Sequence, residues 1–192
     1  MDIIEKAVHI LRTDGIVIYP TETVYGLGGD AFSDDAIMRV YEAKQRPLSK
    51  PMSIAVSDLD MLSAVAYTGK RETEFIERFL PGPVTVILRA RSCLPPVLTG
   101  GTGMIGIRYP AHPVAIDLIN RLDSPVTATS ANLSGARDPV TPGECHVPHD
   151  LLIDGGLLPG TPSTVVDLME GRVLREGVLS KEICTFFSRA DD

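Results

Sequence analysis

The chain has 192 residues, 44% of them hydrophobic, and its 25 acids outnumber its 18 lysines and arginines to give a net charge of −7. That is enough apolar material for one domain with a full core, and the length argues against two. The acidic balance argues against a broad, non-specific nucleic-acid surface, which needs clustered excess cations, but leaves room for a local basic pocket. Cys93, Cys145 and Cys184 are widely spaced and form no C-x-x-C pair, which suits a reducing cytosol. The opening residues Met-Asp-Ile-Ile-Glu-Lys carry acids where a signal peptide carries bases, and no apolar run approaches the ~20 residues of a membrane span. Together these features predict a soluble, cytoplasmic protein with no membrane partner.

In chain order, residues 2–13 place Ile3, Ile4, Ala7, Ile10 and Leu11 at helical spacing, with Gly15 as the expected stop. The stretch 15–29 organises the rest of the chain. Ile16, Val17 and Ile18 read as a short buried strand that Pro20 ends, because proline has no N–H for a ladder bond. Thr21, Glu22, Thr23 and Tyr25 then put hydroxyls and a carboxylate at the strand's C-terminal end, where ligands bind in open α/β sheets. Gly26, Gly28 and Gly29 are expected to bend the backbone tightly or let it approach a ligand. The stretch is neither a G-x-G-x-x-G fingerprint nor a G-x-x-x-x-G-K-[ST] phosphate loop, so any nucleotide site must be built another way.

Ser33 is expected to cap a helix from Asp34 to Ala43, which delivers Lys44, Arg46 and, a little further on, Lys50 at its end. A strand at 52–56 and a short helix capped by Ser57 follow. A helix over 70–79 stops at Pro81-Gly82-Pro83, and Val84 to Leu88 is a strand. After the Gly100-Gly101-Thr102-Gly103 turn, the strand Ile105–Tyr109 carries Arg108. Next come a helix at 114–121 and a strand Val126–Thr129 ending in Ser130-Ala131-Asn132. Thr141-Pro142-Gly143-Glu144 has capping-box form and opens a short helix. Then come a strand Leu151–Ile153, a hairpin of Ser163–Leu168 with Arg172–Arg175, and a last helix through Phe187 capped by Ser180. Alternating strands and helices with hairpins predict an α/β fold: one twisted, mixed parallel and antiparallel open sheet flanked by helices.

Four groups are candidates for chemistry. Lys44, Arg46 and Lys50 either complement a helix C-terminus or clamp a polyphosphate, Arg supplying a rigid fork and Lys a point charge. Ser130 and Asn132 either form an ordinary turn or face a ligand beyond a buried strand. Arg108, a cation in an apolar strand, needs either an internal ion pair or a substrate carboxylate. Cys145, His146 and His149 offer soft ligands, but their spacing matches no zinc pattern and lacks an evident fourth ligand, so no metal site is expected.

One series joins these pieces: Pro20-Thr21-Glu22-Thr23-Val24-Tyr25-Gly26-Leu27-Gly28, Lys44-x-Arg46-Pro47, Pro81-Gly82-Pro83-Val84-Thr85, Gly106-Ile107-Arg108-Tyr109-Pro110, Ser130-Ala131-Asn132, Ile153-Asp154-Gly155-Gly156, Ser163-Thr164-Val165 and Leu174-Arg175-Glu176-Gly177. In this series the chain resembles the YrdC/Sua5 family of threonylcarbamoyl-AMP synthases over almost its whole length. The resemblance implies a single YrdC-like domain over 1–192 with a concave ligand groove, in the short form without the Sua5 C-terminal domain. It implies threonylcarbamoyl-AMP made from L-threonine, bicarbonate and ATP with release of pyrophosphate, Mg²⁺ riding on the phosphates. The product would feed the N6-threonylcarbamoyl modification of adenosine 37 in tRNA through a downstream transferase complex, with at most weak contact with tRNA itself.

By the same resemblance Lys44, Arg46, Ser130 and Asn132 match the family's catalytic tetrad. Thr23, Arg108, Ala128 and Ser163 match threonine-binding positions, and Arg46, Lys50, Ser130 and Arg175 match ATP-binding positions. Three residues depart from the pattern. Ala55 stands where longer members place a threonine-contacting histidine, Met104 where many have threonine, and Asp138 near a position usually held by serine. The competing readings are an RNA-binding module in tRNA or ribosome maturation, which the acidic balance and missing aromatic stacking motif disfavour, and a carbamoyl-transfer domain.

Overall fold

A computed structural model describes residues 2–189. Helix α1 (Ile3–Leu11) starts at a reciprocal cap: the Glu5 N–H donates to Asp2 Oδ1 at 2.7 Å and the Asp2 N–H to Glu5 Oε2 at 2.9 Å. It is Asp14, at φ 60°, that takes the left-handed position past its end, not Gly15. Gly15 is needed for room instead, since a Cβ there would lie 2.2 Å from Ile10 Cγ2. Strands β1 (Val17–Tyr19) and β2 (Gly26–Gly28) follow, then α2 (Asp34–Ala43), capped by Ser33 as its sequence predicts.

Next come β3 (Ile54–Ala55) and α3 (Leu59–Val65). The cap of α3 is Asp58, not Ser57: Asp58 Oδ1 accepts from the Met61 N–H at 2.7 Å. Then follow β4 (Ala66–Tyr67), α4 (Lys70–Phe79), β5 (Val84–Ala90), the single turn α5 (Pro96–Thr99), β6 (Met104–Arg108) and α6 (Pro113–Leu122). Strands β7 (Val126–Thr127) and β8 (Thr129–Ser130) are separated only by Ala128. The capping-box segment forms just one 3₁₀ turn, Pro142–Glu144. The chain continues through β9 (Leu151–Leu152), β10 (Thr164–Asp167), β11 (Arg172–Arg175) and α7 (Ser180–Arg189). Ser180 opens that last helix from inside, and its hydroxyl donates back to the Gly177 carbonyl at 3.0 Å.

The α/β architecture with mixed pairing is as expected, but there are two sheets in place of one. The smaller has the order β8-β2-β1-β9. Only the β1–β9 pairing within it is parallel. The larger runs β11-β10-β5-β6-β3-β7, with β4 added against β5, and contains parallel pairs β10–β5 and β3–β6 among antiparallel ones. Residues 126–130 belong to both: β7 pairs with β3 in the larger sheet, and after Ala128 the chain switches to pair with β2 in the smaller. One core lies against α2, α3, α4 and α7; the other packs α1 and α6 on Val17, Tyr19, Ala55 and Val126. Phe75 is fully buried with its ring against Phe79, Phe186 and Phe187. Truncating such a ring costs about 3–5 kcal/mol.

Gly26 and Gly28 do not bend the chain; they sit in β2 and make room for the Tyr19 ring. A Cβ on Gly28 would lie 2.8 Å from Tyr19 Cε1, and one on Gly26 3.0 Å from Tyr19 Cζ. The ring in turn sends its hydroxyl to the Thr127 carbonyl at 3.2 Å, next to the switch between sheets.

Candidate functional site

A cavity of about 330 Å³ opens where the two sheets exchange the chain. Its wall is built from the end of β1 and the loop after it, the end of α2, the tip of β6, the 128–138 segment, and the β10–β11 hairpin. Of the ten residues singled out from sequence, eight line it: Lys44, Arg46, Arg108, Ala128, Ser130, Asn132, Ser163 and Arg175. Four of these are cations, and Asp138 is the one carboxylate among the lining residues. The local basic pocket that net charge left room for is therefore here.

Thr21 shapes the first loop. Its hydroxyl donates to the Val24 carbonyl at 2.6 Å and accepts from the Thr23 and Val24 N–H groups at 3.2 Å, closing a tight turn. Arg108, on the last residue of β6, reaches this turn with Nη2 alone. That nitrogen donates to Thr23 Oγ1 at 2.6 Å, Glu22 Oε1 at 3.0 Å and Thr21 Oγ1 at 3.4 Å. So the internal ion pair exists, yet Arg108 also borders the cavity. Thr23 is fully buried and is not on the cavity wall; its hydroxyl is turned to Arg108.

Lys44 caps the C-terminus of α2 and lines the cavity, but its side chain is turned to the segment that follows β8. The buried ammonium donates to the Ser130 carbonyl, to the Asn132 carbonyl at 2.7 Å and to Asn132 Oδ1 at 3.0 Å. Three donors meet three acceptors, so the group is fully used in holding the 130–132 turn. Burial, and after it the neighbouring Arg46, brings its pKa down to about 8, with Asp138 acting the other way. Asn132 is saturated as well. Its Oδ1 also accepts from Ser130 Oγ at 2.7 Å, and its Nδ2 donates to the Ala136 carbonyl at 2.6 Å and Asp138 Oδ1 at 3.1 Å.

Arg46 follows Gln45, which takes φ 49°, and its Nη2 donates to the Pro51 carbonyl at 2.7 Å. Lys50 is exposed and off the cavity wall; its backbone carbonyl accepts from the Tyr41 hydroxyl at 2.9 Å. Across the cavity, Arg175 donates from Nη2 to the Ser163 carbonyl at 2.9 Å and to Ser163 Oγ at 3.1 Å. Ser163 Oγ also lies 3.0 Å from Thr85 Oγ1, a contact the sequence did not suggest although Thr85 closes one of its motifs. Thr21 and Tyr25, expected at the C-terminal end of the first strand, are on the wall too, whereas Tyr19 and Ser53 are lining residues that sequence reasoning missed. The Ser53 carbonyl accepts from the Ala128 N–H at 2.7 Å, which fixes the residue between the two sheets. Of the departures, Ala55 and Asp138 line the cavity, whereas Met104 does not.

Cys145 is buried, with Sγ 3.6 Å from the Thr141 carbonyl, and burial followed by Glu144 pushes its thiol up to about 11. His149 turns Nδ1 to the Val147 carbonyl at 2.7 Å. Among the described residues no three His, Cys, Asp or Glu side chains gather as a metal set. Nor is any described helix long and apolar enough to cross a membrane.

The Sua5/YciO/YrdC family profile, which carries the description "Telomere recombination", matches residues 9–177. A threonylcarbamoyl-AMP synthase of Pyrococcus abyssi is 39% identical over 189 residues, covering 93% of this chain and 55% of the relative. One from Escherichia coli O1:K1 is 33% identical over 196 residues, covering 92% of this chain and 96% of the relative. The crystal structure of P. abyssi Sua5 complexed with L-threonine superposes with a TM-score of 0.86 at 37% identity, covering 91% of this chain and 54% of that one. The chain thus spans about half the length of its archaeal relative and nearly all of the enterobacterial one. By the extent of the profile match and of these identities, the chain belongs to the Sua5/YciO/YrdC family.

Proposed function

We propose that the protein is an L-threonylcarbamoyladenylate synthase, converting L-threonine, bicarbonate and ATP into threonylcarbamoyl-AMP, pyrophosphate and water. The observation that carries this reading is the meeting of residues from two expected half-sites on one cavity. Arg108, Ala128 and Ser163, expected on the threonine side, and Arg46, Ser130 and Arg175, expected on the ATP side, all line it. The names of the synthase relatives and the threonine-bound structure support it.

Threonine's unprotonated amine adds to CO₂ derived from bicarbonate, forming a carbamate. A carbamate oxygen then bonds to the α-phosphorus while the bond to pyrophosphate breaks, and its electron pair leaves with pyrophosphate. No protein nucleophile is required. The chain's task is to bring two anions together and neutralise charge that builds on the leaving phosphates. Arg46 and Arg175 supply fixed forks for the phosphates, joined by Lys50 if its exposed side chain folds inward. Arg108, with Nη2 anchored on the 21–23 turn, presents the rest of its guanidinium to the threonine carboxylate. Ser163 and Ala128 meet the hydroxyl end, where an unfilled polar partner would reject valine. Lys44 and Asn132 hold Ser130 in place.

Magnesium carried on a nucleotide takes one or two carboxylates besides phosphate oxygens, and the lining residues fit that: Asp138 would hold it. The ion would offset negative charge on the phosphates. The product would serve a tRNA threonylcarbamoyl-transferase for modification of adenosine 37. Incubation with ATP, Mg²⁺, bicarbonate and threonine, followed by mass spectrometry, tests the assignment. Threonylcarbamoyl-AMP is expected; AMP or ADP alone would exclude it.

A further inference from the structure

Asp138 is an acid in a wall of bases. Lys44, Arg46, Arg108 and Arg175 line the same cavity, and no other carboxylate does so among the described residues. Its carboxylate is not a loose surface group. Oδ1 accepts from Asn132 Nδ2 at 3.1 Å, and Asn132 is itself held by Lys44, Ser130 and the Ala136 carbonyl. Oδ2 has no hydrogen-bond partner among the described residues and is not sealed from solvent. Asp138 shares the cavity wall with Lys44 and Arg175, and its charge opposes the lowering that burial imposes on the pKa of each.

A fixed carboxylate beside a polyphosphate is repulsive at short range unless a cation stands between them. Serine at this place would add no charge; aspartate makes the site choose between metal-free and metal-bound nucleotide. We propose that Asp138 is the protein's ligand for a divalent cation carried on the bound nucleotide, and that it makes nucleotide binding in this cavity depend on that cation. The proposal rests on the assignment of the cavity to ATP. It places the metal contact on Oδ2, with Oδ1 kept for Asn132.

Asp138→Asn separates charge from hydrogen bonding, because the amide oxygen can still accept from Asn132 Nδ2. ATP binding is measured by calorimetry without threonine or bicarbonate, once with saturating Mg²⁺ and once with EDTA, after circular dichroism confirms the fold. The parent protein is expected to bind ATP about 10-fold or more tightly with Mg²⁺ than without, and the Asn variant to show at most about a twofold difference, with metal-free ATP bound more tightly than by the parent. Asp138→Ser, checked in parallel, should behave as the Asn variant does. An unchanged magnesium dependence in both variants would overturn the proposal while leaving the ATP site standing. Equal tightening with and without Mg²⁺ would also overturn it, making Asp138 a counter-ion to Lys44 and Arg175. Failure of the parent to bind ATP under either condition would defeat the nucleotide assignment itself.

Discussion

Lys44 and Asn132 are joined twice: the Lys44 ammonium donates to the Asn132 backbone carbonyl at 2.7 Å and to its side-chain oxygen at 3.0 Å. A helix end is thereby fastened to the turn that follows β8, and the Ser130 hydroxyl is aimed by the same Asn132 oxygen. The lysine thus acts as a positioning residue, and its effect on catalysis passes through the geometry of Ser130.

The protonation of Lys44 sets an alkaline limit. With its pKa lowered to about 8, the group is an ammonium with three donors below that pH. Above it, a neutral amine has two N–H groups for three acceptors, and the turn loosens. The affinity of the free enzyme for ATP, which does not depend on the protonation of threonine, is expected to be level just below pH 8 and to weaken above it. Asp138 holds this pKa up, so Asp138→Asn should move the limb to lower pH. A profile that stays flat to pH 10 would remove Lys44 from this role.

Arg46 and Ser130 border the same cavity although they lie far apart in sequence. Arg46→Lys keeps the charge but loses the planar fork. ATP turnover should fall at least about 10-fold, equivalent to about 1.4 kcal/mol of transition-state stabilisation, with threonine affinity nearly unchanged. Ser130→Ala should act in the same direction but more mildly, since a neutral hydroxyl contributes less than a charge-assisted bond. Steady-state kinetics on both variants check this; parental kinetics in Arg46→Lys would contradict it.

Arg108 and Glu22 form a largely buried pair, with side chains 11% and 18% exposed. Arg108→Ala strands the Glu22 carboxylate, and breaking such a pair costs about 3–5 kcal/mol. Adding Glu22→Gln should restore much of the stability, because the uncompensated charge is gone, but should not restore threonine binding. Denaturation and calorimetry on the single and double variants separate the two effects. Recovery of threonine affinity in the double variant would place the carboxylate elsewhere.

The Tyr19 ring occupies the space that Gly28 leaves open. Gly28→Ala would put a Cβ 2.8 Å from Tyr19 Cε1, so the ring or β2 must shift. Overpacking of this kind costs about 1–3 kcal/mol. Each kcal/mol lowers Tm by roughly 2–4 °C in a chain of this size. A thermal melt showing no loss would mean that the ring is free to move.

Much of the fold was legible from local signals. The helix Asp34–Ala43 announces itself by the Ser33 cap and its apolar spacing, and Lys70–Phe79 by the proline run after it. The features that escaped depend on distant partners. Residues 126–129 read as one strand, since Val126, Thr127 and Thr129 are all β-branched, but β3 and β2 claim the two ends of the segment for different sheets. The partner of Arg108 lies 86 residues away, and nothing local chooses between an ion pair and a substrate. Ser57 and Asp58 are adjacent capping residues, and the structure uses the second. Of the eight lining residues, Lys44, Arg46, Arg108, Ser130 and Asn132 stand out by residue type and position, and Ala128, Ser163 and Arg175 only through motif resemblance; Tyr19 and Ser53 carry backbone-directed roles that side-chain chemistry does not advertise.

The most direct test is pyrophosphate release by desalted enzyme supplied with ATP and Mg²⁺, with threonine and bicarbonate added or withheld. Release should require both, and valine should not replace threonine. Equal release without threonine would contradict the proposed reaction.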